Sequence, residues 1–404
     1  MAAADGAVTG ASPRRLWVYA GRRLRLAAYF RAPGDGRVQP QIPAQVLLWA
    51  LLIGQVLREW SFHGVEALVR SPARRALRVA QRFGDDALGY FTERLDPGPT
   101  RAALAATVRR AKRNKAFDDR RWIGVAIDGT GAGHSQAAHC AWCHPIRAAD
   151  DRVLGYGHHL CMITVVGTGL ALPFDVEPYG PGDSEYAAGQ RVLQRAVGAV
   201  GRRFADYVVA DGEFATAPFL HVAGDLGLRV VARLKGNLPE LYATAQARFA
   251  AQAPTGIFAV GRDRVEVWDA DDFDPWEALR WATVRVLRYR QHKSDGTVVE
   301  AYWLTDWPLR HVGSRALYLM AKSRWEIENQ GFNDAKTRHG LEHLAHHHAN
   351  SVLIGWLLAI FALTLERLYR LRYLRRGTHQ PLTAIALVRQ LRLSLGPPRP
   401  RDTS

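Results

Sequence analysis

Between residues 122 and 234, short apolar runs alternate with helical stretches, and this alternation limits the fold more than any other feature. The runs at 122–127, 158–167, 171–176, 206–210 and 228–234 are rich in Val, Ile and Leu and have the length of buried strands. Residues 184–200 and 217–226 have helical spacing. The order strand–strand–strand–helix–strand–helix–strand predicts an α/β sheet. Two of these strands end on the same dipeptide: Asp128-Gly129 follows Ile127, and Asp211-Gly212 follows Ala210. Parallel strands gather such ends on one edge, where ligands usually bind. Glycine there lets a ligand or another backbone approach closely. Two carboxylates brought together repel unless a divalent cation holds them. A single Asp-Gly is as readily a turn; the pair matters because each closes an expected core strand.

The flanks have a different texture. Residues 1–118 read as an all-helical domain, with a dense apolar stretch at 43–59 and breaks at Gly64, Ser71-Pro72, Gly84 and Pro97-Gly98-Pro99. Its last helix, 100–117, has Thr100 in an N-cap position and carries Arg101, Arg109, Arg110, Lys112, Arg113 and Lys115. Residues 236–304 alternate in short β-like runs, with a hairpin turn expected at Asp295-Gly296. From His311 the pattern is helical as far as Gly340, and a long apolar helix follows at 350–372. Its apolar run, 352–365, falls short of a membrane span. The reading is therefore a helical domain at 1–118, an α/β domain from 119–235 and 305–372, a β-rich insertion at 236–304 and a basic tail at 373–404.

Charge gives the first functional indication. The 404 residues hold 54 Lys and Arg against 38 Asp and Glu, a net of +16. Residues 1–121 carry +12 and 366–404 carry +7, whereas 122–365 carries −3. Basic ends fit a polyanion such as DNA, and the near-neutral middle has room for acidic groups; the bland alternative is Arg-rich helix faces. Three cysteines exclude a disulfide framework and point to a reducing, cytoplasmic setting. Asp5, with Arg14 and Arg15 following and no apolar core before them, does not read as a secretory signal.

The third chemical element is the helical segment from Lys322 to Lys336. Arg324 and Glu328 are four residues apart and share a face. Glu326 lies about 200° around an α-helix from Glu328, so both cannot face one site. Glu328 would supply a third carboxylate for two-metal phosphoryl chemistry; alone, the Arg–Glu pair could be a surface ion pair.

Together these pieces resemble the DDE transposases of bacterial insertion sequences, of the type with a Tyr-Arg-Glu-Lys signature. The resemblance covers roughly residues 80–370 and rests on Ile127-Asp128-Gly129-Thr130-Gly131, Ala210-Asp211-Gly212-Glu213-Phe214 and Arg324-Trp325-Glu326-Ile327-Glu328-Asn329. It implies an RNase H-like catalytic core with a β-rich insertion before the catalytic helix. It implies Asp128, Asp211 and Glu328 as ligands of Mg²⁺ or Mn²⁺, two ions in all, and Arg324 and Lys336 as DNA contacts. The signature Tyr would fall at Ala321 and the Lys at Ala335; Lys336 comes one residue late. The implied function is strand cleavage and transfer on double-stranded DNA, at terminal inverted repeats and at a target, by a dimer in the synaptic complex. The implied setting is the bacterial cytoplasm, on the nucleoid, with no membrane involved. Arg109, Arg110, Lys112, Arg113 and Lys115 are further candidate DNA contacts. An RNase H-like nuclease without strand transfer shares the triad; a non-catalytic DNA-binding descendant would not need it.

A second metal is suggested by Cys140, Cys143, His144 and Cys161, with His139, His158 and His159 nearby in sequence. A Cys-x-x-Cys with further His or Cys ligands suits structural Zn²⁺, although reduced thiols near a sheet edge also simply pack. Leu341-Glu342-His343 and His346-His347-His348 read as ligands, DNA contacts or an exposed helix start. Tyr302 and Trp303 read as core packing or as an aromatic held against a displaced base.

Overall fold

The computed structural model describes residues 13–117, 120–138, 140–371 and 383–395. The chain forms two compact units: residues 117–131 with 158–333, and residues 1–116 with 132–157 and 334–404. The first is a mixed α/β unit built on a large sheet. The strands in chain order are β1 (Gly124–Ser135), β2 (His144–Arg147), β3 (Val153–Val166), β4 (Leu172–Tyr179), β5 (Tyr207–Ala210), β6 (Arg229–Leu234), β7 (Gly256–Val260), β8 (Asp263–Phe273), β9 (Val284–His292) and β10 (Val298–Thr305).

In the sheet the order runs β3-β1-β5-β6-β10-β9-β8-β7, with β4 paired to β3. The pairs β1–β5 and β5–β6 are parallel; β3–β4, β6–β10, β10–β9, β9–β8 and β8–β7 are antiparallel. The continuous apolar runs at 125–127, 207–210 and 230–232 are fully buried, as parallel strands covered on both faces should be. The helix Glu185–Val200 starts at Ser184, whose hydroxyl accepts the Ala187 N–H at 3.1 Å, and buries Val192, Leu193 and Ala196. The stretch 236–304 contributes the helix Pro239–Ala250 and β7–β10, which extend the same sheet beyond β6 and are not a separate body.

The segment expected to be one helix from 311 to 340 is broken. An α-helix covers Ser314–Lys322, residues 323–324 turn, the chain is helical again from 325, and Ile327–Phe332 forms a π-helical turn before the α-helix Asn333–His339. The break sits where the Ser323 hydroxyl donates to the Met320 carbonyl at 2.6 Å and meets the buried Tyr207 hydroxyl at 3.1 Å. Such back-bonding by serine competes with the helical ladder and bends it.

The second unit is mainly helical, and its N-terminal helices do not stand alone. The helix Ala349–Tyr369 is apolar on all sides and long enough to cross a membrane, and it is almost wholly buried. Ala44–Leu57, Asp85–Arg94 and Pro97–Arg113 pack around it, so residues from the two ends of the chain share one core. The helix expected from Thr100 begins at Pro97, capped by Asp96, which accepts the Gly98 N–H at 2.9 Å. Pro97 fits the first helical position because its missing N–H would have no partner there. Thr100 is buried within that helix. Of the basic tail, Thr383 caps a described helix, Ala384–Leu393, which buries Leu387, Val388 and Leu391. Arg392 there donates to the Leu57 carbonyl at 2.6 Å and pairs with Glu59 at 2.8 Å. The rest of 373–404 lies outside the described residues.

Candidate active site

Strand register builds the site. Ile127 pairs with Ala210 as the last step of the parallel β1–β5 ladder. Asp128 and Asp211 are the next residues on their strands, so they emerge side by side, roughly one strand spacing of about 4.8 Å apart. β1 does not end there, as the sequence suggested; it continues to Ser135, and the parallel pairing is what stops at Ile127.

Arg324 ties the third carboxylate to this pair. Its guanidinium donates to Asp128 Oδ2 at 3.0 Å and meets Glu328 Oε1 at 2.7 Å. Arg324 is buried, while the Glu328 carboxylate is over a third exposed at the mouth. Glu326 takes another course: it is half-buried and accepts the Gly167 N–H at 3.1 Å. Glu328 stands in the π-turn, a distortion that recurs at functional sites.

Two residues went unnoticed in the sequence. Glu185, in the first turn of its helix, accepts the Gly129 N–H at 3.0 Å and the Tyr179 hydroxyl at 3.4 Å. A Cβ on Gly129 would overlap the Glu185 carboxylate, so a larger residue there would displace that side chain. Lys235, just past β6, pairs with Asp211 at 2.9 Å. The N-cap Ser184 and the strand–turn–helix pattern marked Glu185 as a helix start, but nothing in the sequence aimed it at Gly129.

The electrostatics are lopsided. Burial, partly relieved by Arg324 and reinforced by the charges of Glu185 and Glu328, pushes the Asp128 carboxyl up to about 7. Glu185 is raised too, by burial and then by the charge of Glu213. Burial also acts upward on Asp211, but its hydrogen bonds from Lys235 and Gly212 outweigh this and leave it lowered. Five carboxylates thus share the edge with Arg324 and Lys235. This donor set is all hard oxygen, which suits Mg²⁺, Mn²⁺ or Ca²⁺.

The other expected residues are dispersed. Lys336 lies in the helical unit, ion-paired with Glu342 at 3.2 Å. Ala321 and Ala335 are fully buried. Beside Arg324, exposed Trp325 has the guanidinium 4.6 Å from its ring centroid. Tyr302 and Trp303 pack in the core, Tyr302 against Tyr242 and Phe249. On Pro97–Arg113 and just past it, Arg109, Arg110 and Lys112 are half-buried and Arg113 and Lys115 exposed. Of the zinc candidates, Cys140 and Cys143 come together, but with His347. His144 instead stands on β2 opposite Gly157, and Cys161 is buried in β3 of the α/β unit. The sheet register, invisible in the spacing, decides this. His159 lies 3.5 Å from the Tyr179 hydroxyl, and His139 is outside the described residues. His346 is ion-paired with Glu93 at 2.8 Å.

The family described as "Transposase DDE domain" matches residues 123–365, more than half of the chain. The chain belongs to the DDE transposase family. Among solved structures it is similar to a piggyBac transposase in a synaptic complex with hairpin DNA. That match has 12% identity and a TM-score of 0.47, over 95% of this chain and 80% of that one. No curated protein matches significantly. Membership of this family makes the chain a nuclease or transposase enzyme that uses divalent metal ions.

Proposed function

We propose that the chain is the transposase of a bacterial insertion sequence, with an RNase H-like core. It would cut and join double-stranded DNA at the element's terminal inverted repeats and insert it into target DNA. The observation that carries this reading is the convergence of Asp128, Asp211 and Glu328 around Arg324. These three carboxylates would hold two Mg²⁺ or Mn²⁺ ions. Bound there, the ions would activate the attacking hydroxyl and stabilise the leaving oxygen.

The chain's own residues do the rest. Arg324 bridges Asp128 and Glu328, and Lys235 pairs with Asp211. Glu185 holds the Gly129 backbone so that the turn after Asp128 keeps its shape. Exposed Trp325, backed by the buried Arg324 guanidinium, would offer an aromatic surface beside the acids for a DNA end. Arg113, Lys115 and the basic N-terminal and C-terminal segments would neutralise phosphates, so affinity should fall steeply with salt. Two ends must be held together, which calls for a dimer, working in the bacterial cytoplasm on the nucleoid.

The test uses the full chain and a DNA fragment carrying the element's ends. Cleavage and joining are expected with Mg²⁺ or Mn²⁺ and are lost in EDTA. Asp128→Asn and Asp211→Asn should lose cleavage by about a thousandfold or more while DNA binding persists. Bound DNA left intact by the wild type in both metals would overturn the reading.

A further inference from the structure

The helical unit contains a soft-ligand cluster that the reaction does not use. Cys140 Sγ lies 3.6 Å from Cys143 Sγ, and Cys143 Sγ lies 3.3 Å from His347 Nε2. The three ligand atoms fall within 4.8 Å of one another. Zn–S bonds of about 2.3 Å and a Zn–N bond of about 2.0 Å place tetrahedral ligands about 3.8 Å (S to S) and about 3.5 Å (S to N) apart. The observed separations are close to both. A disulfide needs its sulfurs about 2.05 Å apart, and the 3.6 Å between Cys140 and Cys143 is too long for one.

Both sides of the cluster are positioned by contacts of their own. The Cys143 N–H donates to the Cys140 carbonyl at 3.2 Å, closing the tight turn that lets a Cys-x-x-Cys present both sulfurs to one point. Trp142, inside that turn, stacks on Trp356 with centroids 6.4 Å apart. His347 is flanked by His346, held by Glu93, and by Asn350, whose side chain donates to the carbonyls of Thr92 at 2.8 Å and Leu95 at 2.7 Å. The ligands are thus brought together from positions 204 residues apart.

We propose that Cys140, Cys143 and His347 bind a structural Zn²⁺ ion that staples the 140–143 turn to the start of the helix Ala349–Tyr369. Thiolates and imidazole select zinc over the hard cations that suit the carboxylate edge, so the two sites discriminate by ligand chemistry. The fourth tetrahedral position is left for a further nitrogen or for water. Zinc here is separate from cleavage chemistry, and its test does not depend on activity.

The experiment measures zinc in the full chain, purified without chelator, and the thiolate-to-metal absorption after exchange with Co²⁺. About one zinc per chain is expected, with a fall of at least about fivefold in Cys140→Ser, Cys143→Ser and His347→Ala. His347→Cys should restore the zinc that His347→Ala loses, which separates loss of a ligand from loss of the fold. His144→Ala and Cys161→Ser should keep the wild-type content. Wild-type protein with less than about a fifth of an equivalent after zinc addition would overturn the proposal. So would zinc retained in Cys143→Ser, or no recovery in His347→Cys.

Discussion

Two clusters of buried charge stand in the same sheet, and they are built on opposite rules. Between β8 and β9, the Arg285 guanidinium meets both oxygens of Asp269 at 2.8 and 2.6 Å, with both side chains sealed from solvent. Its remaining donors reach the carbonyls of Trp307 at 3.1 Å and Val312 at 2.7 Å. That cluster is closed: one anion, one cation and satisfied donors. Where the β1–β5 pairing stops, carboxylates outnumber cations, and burial, with the charges of Glu185 and Glu328 added to it, pushes the Asp128 carboxyl up to about 7. A balanced pair specifies how strands meet; an unbalanced cluster stores electrostatic cost that a substrate or ion must offset. The contrast separates scaffold from site in one fold.

Breaking the balanced side should cost most. Asp269→Ala leaves Arg285 buried without its carboxylate, and destabilisation of about 3–5 kcal/mol is expected. Urea denaturation would read this as a lower midpoint at unchanged slope; a change under about 1 kcal/mol would mean the pair is not sealed.

Removing charge from the unbalanced side should do the reverse. The folded Asp128 carboxyl, at about 7, is above its ordinary value of 3.8. The folded state therefore holds its proton more tightly than the unfolded chain, and stability falls as pH rises between these values. In EDTA, Asp128→Asn should be more stable than wild type by about 2–4 kcal/mol at pH 8. The gap should narrow as pH falls towards 5. Added Mg²⁺ should stabilise the wild type and leave the variant unmoved. A variant less stable than wild type at pH 8 in EDTA would show that the acidic edge is not under strain.

A smaller effect is expected at Ser323, which shapes the break in the helix. Ser323→Ala leaves the buried Tyr207 hydroxyl without that partner and should cost about 1–2 kcal/mol. Thermal melting checks this, and no loss would mean that the break is set by the chain on either side.

The α/β alternation and the nearness of Asp128 to Asp211 were legible because parallel strands need continuous apolar runs and their pairing brings the residues that follow those runs together, although β1 itself runs on to Ser135. Glu328 was legible through its four-residue spacing from Arg324. Three things were not. Counting at 100° per residue assumes an unbroken α-helix, and the π-turn at Ile327–Phe332 violates it. Glu185 looks like any acidic residue in a first helical turn until the backbone of Gly129 is in place. The limits of the helical unit were hidden because its core helix, Ala349–Tyr369, lies far along the chain from the helices packed on it.

The most direct test sets Glu328→Gln beside Glu326→Gln in a cleavage assay on end-containing DNA with Mg²⁺, with DNA binding measured for each. The two acids are two residues apart, one tied to Arg324 and Asp128, the other to the Gly167 backbone. Glu328→Gln should bind DNA and cut it about a thousandfold more slowly or not at all, because an amide does not supply the charge that holds divalent ions beside a phosphate. Glu326→Gln should cut within a few-fold of wild type. Full cleavage by Glu328→Gln, or a folded, DNA-binding Glu326→Gln that does not cut, would contradict the assignment.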